Sequence, residues 1–268
     1  MTDTPQARQA MRAAFKHRIR MCCIWSWAVC GIGFFLTFGL LAGFIPPHVE
    51  AWTANQVAGF YAANRTEIRI GLIGALFFSA LLLPFFTVVS QEMREIEGPK
   101  PLLAPIQFGG AVILVCFFQI ICLLWLLASF RAGISHDLIR AMNDYGWIVW
   151  TILIPTYSCQ FICIALAGFM DIREQPLWPR WAAYANLLVA SLGAGGCCSI
   201  FFKHGPFSWN GLIGWWVPTV VFALGMCMNM YLLHRHARSP AYESVPDGAR
   251  STRTLADASG GSLEAQLT

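Results

Sequence analysis

Six stretches of the chain contain no Asp, Glu, Lys, Arg or His: residues 21–47, 70–91, 101–130, 145–170, 181–202 and 205–233. They hold between 22 and 30 residues each. A helix needs about 20 mostly apolar residues to cross a bilayer, so each stretch suffices for one crossing and not for two. The runs are continuously apolar and lack the ten-residue alternation of a barrel strand. The expected fold class is therefore all-α: a polytopic membrane protein with six transmembrane helices. Composition agrees, since only 12% of residues are charged and 57% are hydrophobic, where soluble domains average about 25% charged. A soluble enzyme, a disordered chain and a coiled coil are excluded on the same ground.

The few charges give a direction. With the N-terminus in the cytoplasm, the inner segments hold thirteen Lys and Arg: Arg8, Arg12, Lys16, Arg18, Arg20, Arg94, Lys100, Arg173, Arg180, Arg235, Arg238, Arg250 and Arg253. The outer loops hold five: Arg65, Arg69, Arg131, Arg140 and Lys203. Positive charge favours the inside, so both termini are expected to be cytoplasmic. The net charge of +4 then reflects topology and calls for no nucleic-acid partner. All ten cysteines lie within the six apolar runs, so disulfides are not expected.

The pattern divides the chain into a basic cytoplasmic lead-in (1–20), a transmembrane domain (21–236) and a disordered cytoplasmic tail (237–268). Two short interfacial helices are expected on the outer face. One begins at Thr53, whose spacing to Gln56 fits a capping box. The other begins at Ser135, followed by Asp137 and the stripe Leu138, Ile139 and Met142. Pro84, Pro155 and Pro218 interrupt the second, fourth and sixth spans, where proline removes a backbone hydrogen bond and bends the helix.

No span carries a His, Lys or carboxylate. That argues against intramembrane bis-histidine haem, histidine-box di-iron centres, a retinal Schiff base and a buried acid relay. No phosphate-binding glycine loop or nucleophile elbow is present. Three constellations remain. Polar side chains in the spans, Gln119, Tyr157 and Gln160, are either interhelical glue or contacts for a small ligand. Charged groups at the outer rim, Glu67, Arg69 and Asp144, are either interfacial salt bridges or the mouth of an outward cavity. Sulfur ligands toward the inner face, Cys22, Cys23, Cys159, Cys163, Met226 and Met230, suit Cu(I) or simple apolar packing. No cofactor is expected, with copper as the alternative. Gly39 and Gly43 form a small-residue motif that would suit helix association within a chain or between chains.

Four strings, F-Y-A-A-N-R-T-E-I-R-I-G from Phe60, R-E-I-E-G from Arg94, W-P-R-W-A-A-Y-A-N-L from Trp178 and K-H-G-P-F-S-W-N-G from Lys203, resemble those of a family of bacterial six-span integral membrane proteins. The resemblance covers roughly residues 20–235. It implies the same topology and a bacterial inner membrane, and it carries no established activity.

The expectation for function is non-enzymatic: binding or passage of a small apolar molecule, or service as a membrane subunit of a larger complex. One alternative is a membrane-embedded enzyme or copper-handling protein using the Cys and Met groups. Another is a purely structural membrane partner. The expected partners are the lipid bilayer, a second copy or other membrane subunits, and a small apolar ligand.

Overall fold

The computed structural model describes residues 5–239. Nearly all of the tail expected from 237 onward lies outside them. Among the described residues the structure is helical, with no strand. Nine α-helices follow in order: α1 (Pro5–Phe34), α2 (Ala54–Ala63), α3 (Arg65–Ala80), α4 (Leu82–Glu97), α5 (Leu103–Phe130), α6 (His136–Ile152), α7 (Ile154–Met170), α8 (Arg180–Gly193) and α9 (Val217–Ala237). Consecutive segments join into six rods long and apolar enough to cross a membrane: Gln6–Leu41, Arg65–Glu97, Leu103–Phe130, His136–Met170, Arg180–Phe201 and Leu212–Ala237.

The prolines sit where the rods break. Pro84 lies in the first turn of α4, just past the break at Leu81. Pro155 and Pro218 stand at the start of α7 and α9. A missing N–H is harmless in a first turn, so proline ends one segment and begins the next. The fifth rod changes character at its glycines, passing from α8 into a 3₁₀ stretch over Ala194–Phe201. A Cβ at Gly193 would collide with the Tyr157 hydroxyl of α7, so this glycine permits the close approach of α7 and α8.

The first expected interfacial helix is present as α2. Its capping box is complete, with Gln56 N donating to Thr53 Oγ1 at 3.3 Å and Thr53 N donating to Gln56 Oε1 at 2.8 Å. The second is not a separate helix. Ser135 caps as expected, accepting from Leu138 N at 3.4 Å, but α6 then runs unbroken to Ile152. Nothing between Met142 and Ile152 interrupts the helical pattern; the first breaker is Pro155. The stripe read as a surface helix is the first two turns of the fourth rod.

Two loops on the Glu92 side are held by acids. Glu97 accepts from the backbone N–H groups of Leu102, Leu103 and Ala104 at 2.6, 2.7 and 2.7 Å, a carboxylate satisfying the open donors of the α5 N-terminus. Asp171 takes a two-pronged pair from Arg173 at 2.7 and 2.6 Å and a bond from Leu177 N at 3.0 Å. Burial pushes its carboxyl up, and these donors outweigh burial and hold it below the usual range.

In the bundle α5 packs against α3, α4, α6 and α7, α7 against α8, α8 against α9, and α9 against α1. The first and last rods therefore meet and close the ring.

Candidate functional site

Where α1 and α9 meet they leave a cavity of about 470 Å³. Trp27 and Phe34 of α1 face Phe222, Ala223 and Met230 of α9 across it, and Phe118 and Trp150 form its floor. The cause lies in small residues. A Cβ placed on Gly31 would meet only the Trp27 ring, no nearer than 3.9 Å, and Ala223 of α9 adds one methyl. Ile32 and Phe35, also in the lining, are 65% and 48% exposed, so the cavity is a groove open sideways along the rods. A smaller pocket of about 80 Å³ adjoins it through the shared Phe118, Trp150, Trp215, Thr219 and Phe222.

Polar groups are scarce on these walls. Ser79 and Thr219 contribute hydroxyls. Ser79 Oγ donates to Leu76 O at 2.9 Å and accepts from Gln119 Nε2 at 3.5 Å. Gln119 also donates to Leu76 O at 3.3 Å. It thus bridges α5 to α3 and stands one residue behind the groove.

Gln160 lies elsewhere. Its Nε2 donates within α7 to Thr156 O at 3.4 Å, and its chain packs on Gly110 of α5. Gly110 is nine residues from Gln119, about 13 Å along the helix, so the two amides do not share a depth or a cavity. Tyr157 lines the smaller pocket with its ring against Phe222, centroids 5.5 Å apart.

The rim residues are separated too. Arg69 donates to the carbonyls of Ser129 and Phe130 at 2.6 and 2.7 Å, capping the C-terminus of α5. Glu67 is exposed in the first turn of α3. Asp144 pairs with Arg140 one turn away at 3.7 Å and accepts from Asn143 Nδ2 at 3.4 Å. None of the three lines the groove.

Among the sulfur groups, Cys22 and Cys159 are exposed, Cys23 is half-buried and Cys163 and Met226 are buried, while Met230 lines the groove. Among the described residues no three His, Cys, Asp or Glu side chains converge as a metal site. The small-residue motif is spent inside the chain: Gly39 packs on Ile45, and Gly43 lies past the helix end at φ 73°, a left-handed conformation suited to glycine.

Two polar clusters escaped the sequence reading. At one end of the bundle His48 is buried within rings of Phe44, Trp52, Phe60 and Trp147, with centroids 4.2 to 5.8 Å away. Its Nδ1 lies 3.3 Å from Asn143 Oδ1, which also accepts from the Tyr61 hydroxyl at 3.3 Å. Trp125 Nε1 donates to Asn143 O at 3.3 Å, and Trp209 Nε1 donates to His48 O at 2.8 Å. Burial pushes the His48 imidazole down to about 4, outweighing its hydrogen bonds. Burial raises the Tyr61 phenol far above its usual value, reinforced by the negative charge of Asp144.

At the other end Glu92, 1% exposed, pairs with Arg20 of α1 and approaches His236 Nε2 of α9 at 3.7 Å. One buried carboxylate thus ties together the first, second and sixth rods. Nearby, Trp178 Nε1 donates to Asn229 Oδ1, and Asn229 Nδ2 donates to Asn186 Oδ1, both at 2.8 Å. This chain of buried amides joins α8, α9 and the loop before α8.

No family model, curated protein or solved structure matches the chain.

Proposed function

We propose that this is a bacterial inner-membrane protein, with both termini in the cytoplasm, that binds a long apolar chain drawn sideways from the bilayer into the groove between α1 and α9. The observation that carries this reading is the groove itself. Its volume of about 470 Å³ falls in the range of about 300–1,000 Å³ typical of small-molecule sites. From Thr219 to Met230 it follows twelve residues of α9, about 16 Å of helix, a length suited to a hydrocarbon tail. Its walls are almost wholly apolar, and its open side is flanked by exposed apolar side chains. In a rod of membrane-crossing length, that side borders lipid. The excess of Lys and Arg in the segments assigned to the cytoplasm supports the orientation.

The test uses the full chain in phosphatidylcholine nanodiscs and 1-dodecylpyrene, a tail without a headgroup. Energy transfer from the groove tryptophans to pyrene should saturate for the wild type and lose its saturable part in Ala223→Phe, which fills the groove. Transfer that rises linearly and equally in both proteins means simple partitioning into lipid and overturns the reading.

A further inference from the structure

We infer that the chain held in the groove belongs to an anionic amphiphile, whose phosphate or carboxylate head sits at the Glu92 end against Arg238 and His234. This rests on the groove reading above and adds the headgroup to it. The stripe of α9 that faces the groove is Thr219, Ala223, Cys227 and Met230. Continued at the same helical spacing, it passes through His234 and reaches Arg238. These lie about 6 and 12 Å beyond Met230 along the helix. The His234 ring is seated edge-on against Trp25 of α1, centroids 5.5 Å apart, so it stands at the junction of the two helices that form the groove.

Among the described residues no salt bridge answers the positive charge of Arg235 and Arg238. The other arginine at this junction, Arg20, is answered by Glu92 and is not counted. Arg238 is exposed. Arg235 adds a second exposed cation one turn from the helix end. The carbonyl end of α9 carries about half a negative charge, which two guanidinium groups exceed. The opposite end of the groove offers an anion nothing: it is bounded by Phe35 and Ile45. An amphiphile in the groove therefore has one polar exit, and that exit is basic.

The experiment compares four probes with one shared pyrenyl-dodecyl tail, bearing an alcohol, a phosphate monoester, a carboxylate or a trimethylammonium head, on the full chain in phosphatidylcholine nanodiscs. The anionic probes should bind at least about fivefold more tightly than the alcohol, since one Arg near a membrane surface attracts an anion by about 1 kcal/mol. The preference should shrink with added salt, disappear in Arg238→Gln and persist in Arg238→Lys. A phosphate preference points to a phospholipid-like ligand and a carboxylate preference to a fatty acid. Equal saturable binding of charged and neutral probes, or a preference for the cation, overturns the headgroup inference and leaves the groove standing. Absence of saturable binding for every probe, the alcohol included, overturns the groove reading as well.

Discussion

Two neighbouring regions of the bundle solve the same packing problem in opposite ways. Around His48 the chain fills its own interior: Phe38, Phe44, Trp125 and Trp147 are each fully buried and stack within 4.6 to 6.3 Å of one another. Between α1 and α9 equally apolar residues leave a void. Hydrophobicity does not separate the two regions, because most of the side chains that line both are apolar. Side-chain size at facing positions does. Large rings meet large rings in the block, whereas the small residues Gly31 and Ala223 both line the groove and leave it unfilled. In a membrane the apolar residue outside a bundle meets lipid as readily as protein, so a groove left open on the lipid side carries no exposure penalty of the kind water imposes.

The comparison breaks most visibly by removing a ring from the filled region. Trp147→Ala should destabilise the protein by about 3–5 kcal/mol, the range for large aromatic truncations in cores, read from thermal unfolding in detergent. A loss below 1 kcal/mol would show that the aromatic block is not a packed core.

Acid should reach the same block by another route. His48 is held neutral with its pKa down at about 4, against about 6.5 in an unfolded chain. Between these values the unfolded state binds the extra proton, so stability falls as the pH drops from about 6.5 toward 4 and levels off below, by about 3 kcal/mol in all. Burial raises the Glu50 carboxyl in the same region, and that group acts in the opposite direction. Unfolding midpoints across this pH range should flatten in His48→Gln; a slope unchanged by the substitution assigns the pH dependence to other groups.

Matched small-to-large changes sharpen the contrast. A Cβ on Gly146 would overlap the Trp125 ring, so Gly146→Ala should lose about 1–3 kcal/mol through overpacking. Ala223→Phe adds far more volume, yet into the groove, and should shift the unfolding midpoint by less than the Gly146 change while removing tail binding. Equal losses from the two would mean that the groove is as tightly filled as the block.

The elements legible in the sequence were those written in local chemistry. Six charge-free runs became six rods, Thr53 caps the short helix expected of it, and Ser135 caps a helix at the expected place that runs on as the fourth rod. The three prolines mark breaks because proline acts on its own turn. What stayed hidden depends on distant partners. His48 reads as one loop histidine, and nothing local announces Asn143, 95 residues away. Glu92 stands just past the charge-free run 70–91, and nothing local announces that folding buries it against Arg20 and His236. Gln119 and Gln160 are both intramembrane amides, but their depths depend on how α5 and α7 slide past each other. Gly39 and Gly43 show the converse, a motif that suits association within a chain or between chains and is taken up by Ile45 and a turn. The groove lies beyond local reading altogether, since it is made by what two helices far apart in the chain fail to fill.

The meeting of α1 with α9 also sets a temporal order. A ribosome releases α1 first and α9 last, so the early rods must wait in lipid with one face uncovered. Only when α9 arrives can His236 approach Glu92 and the two groove walls stand opposite each other. Among the described segments the groove is therefore the last to be completed, and a chain stopped before residue 217 would possess the aromatic block and no groove.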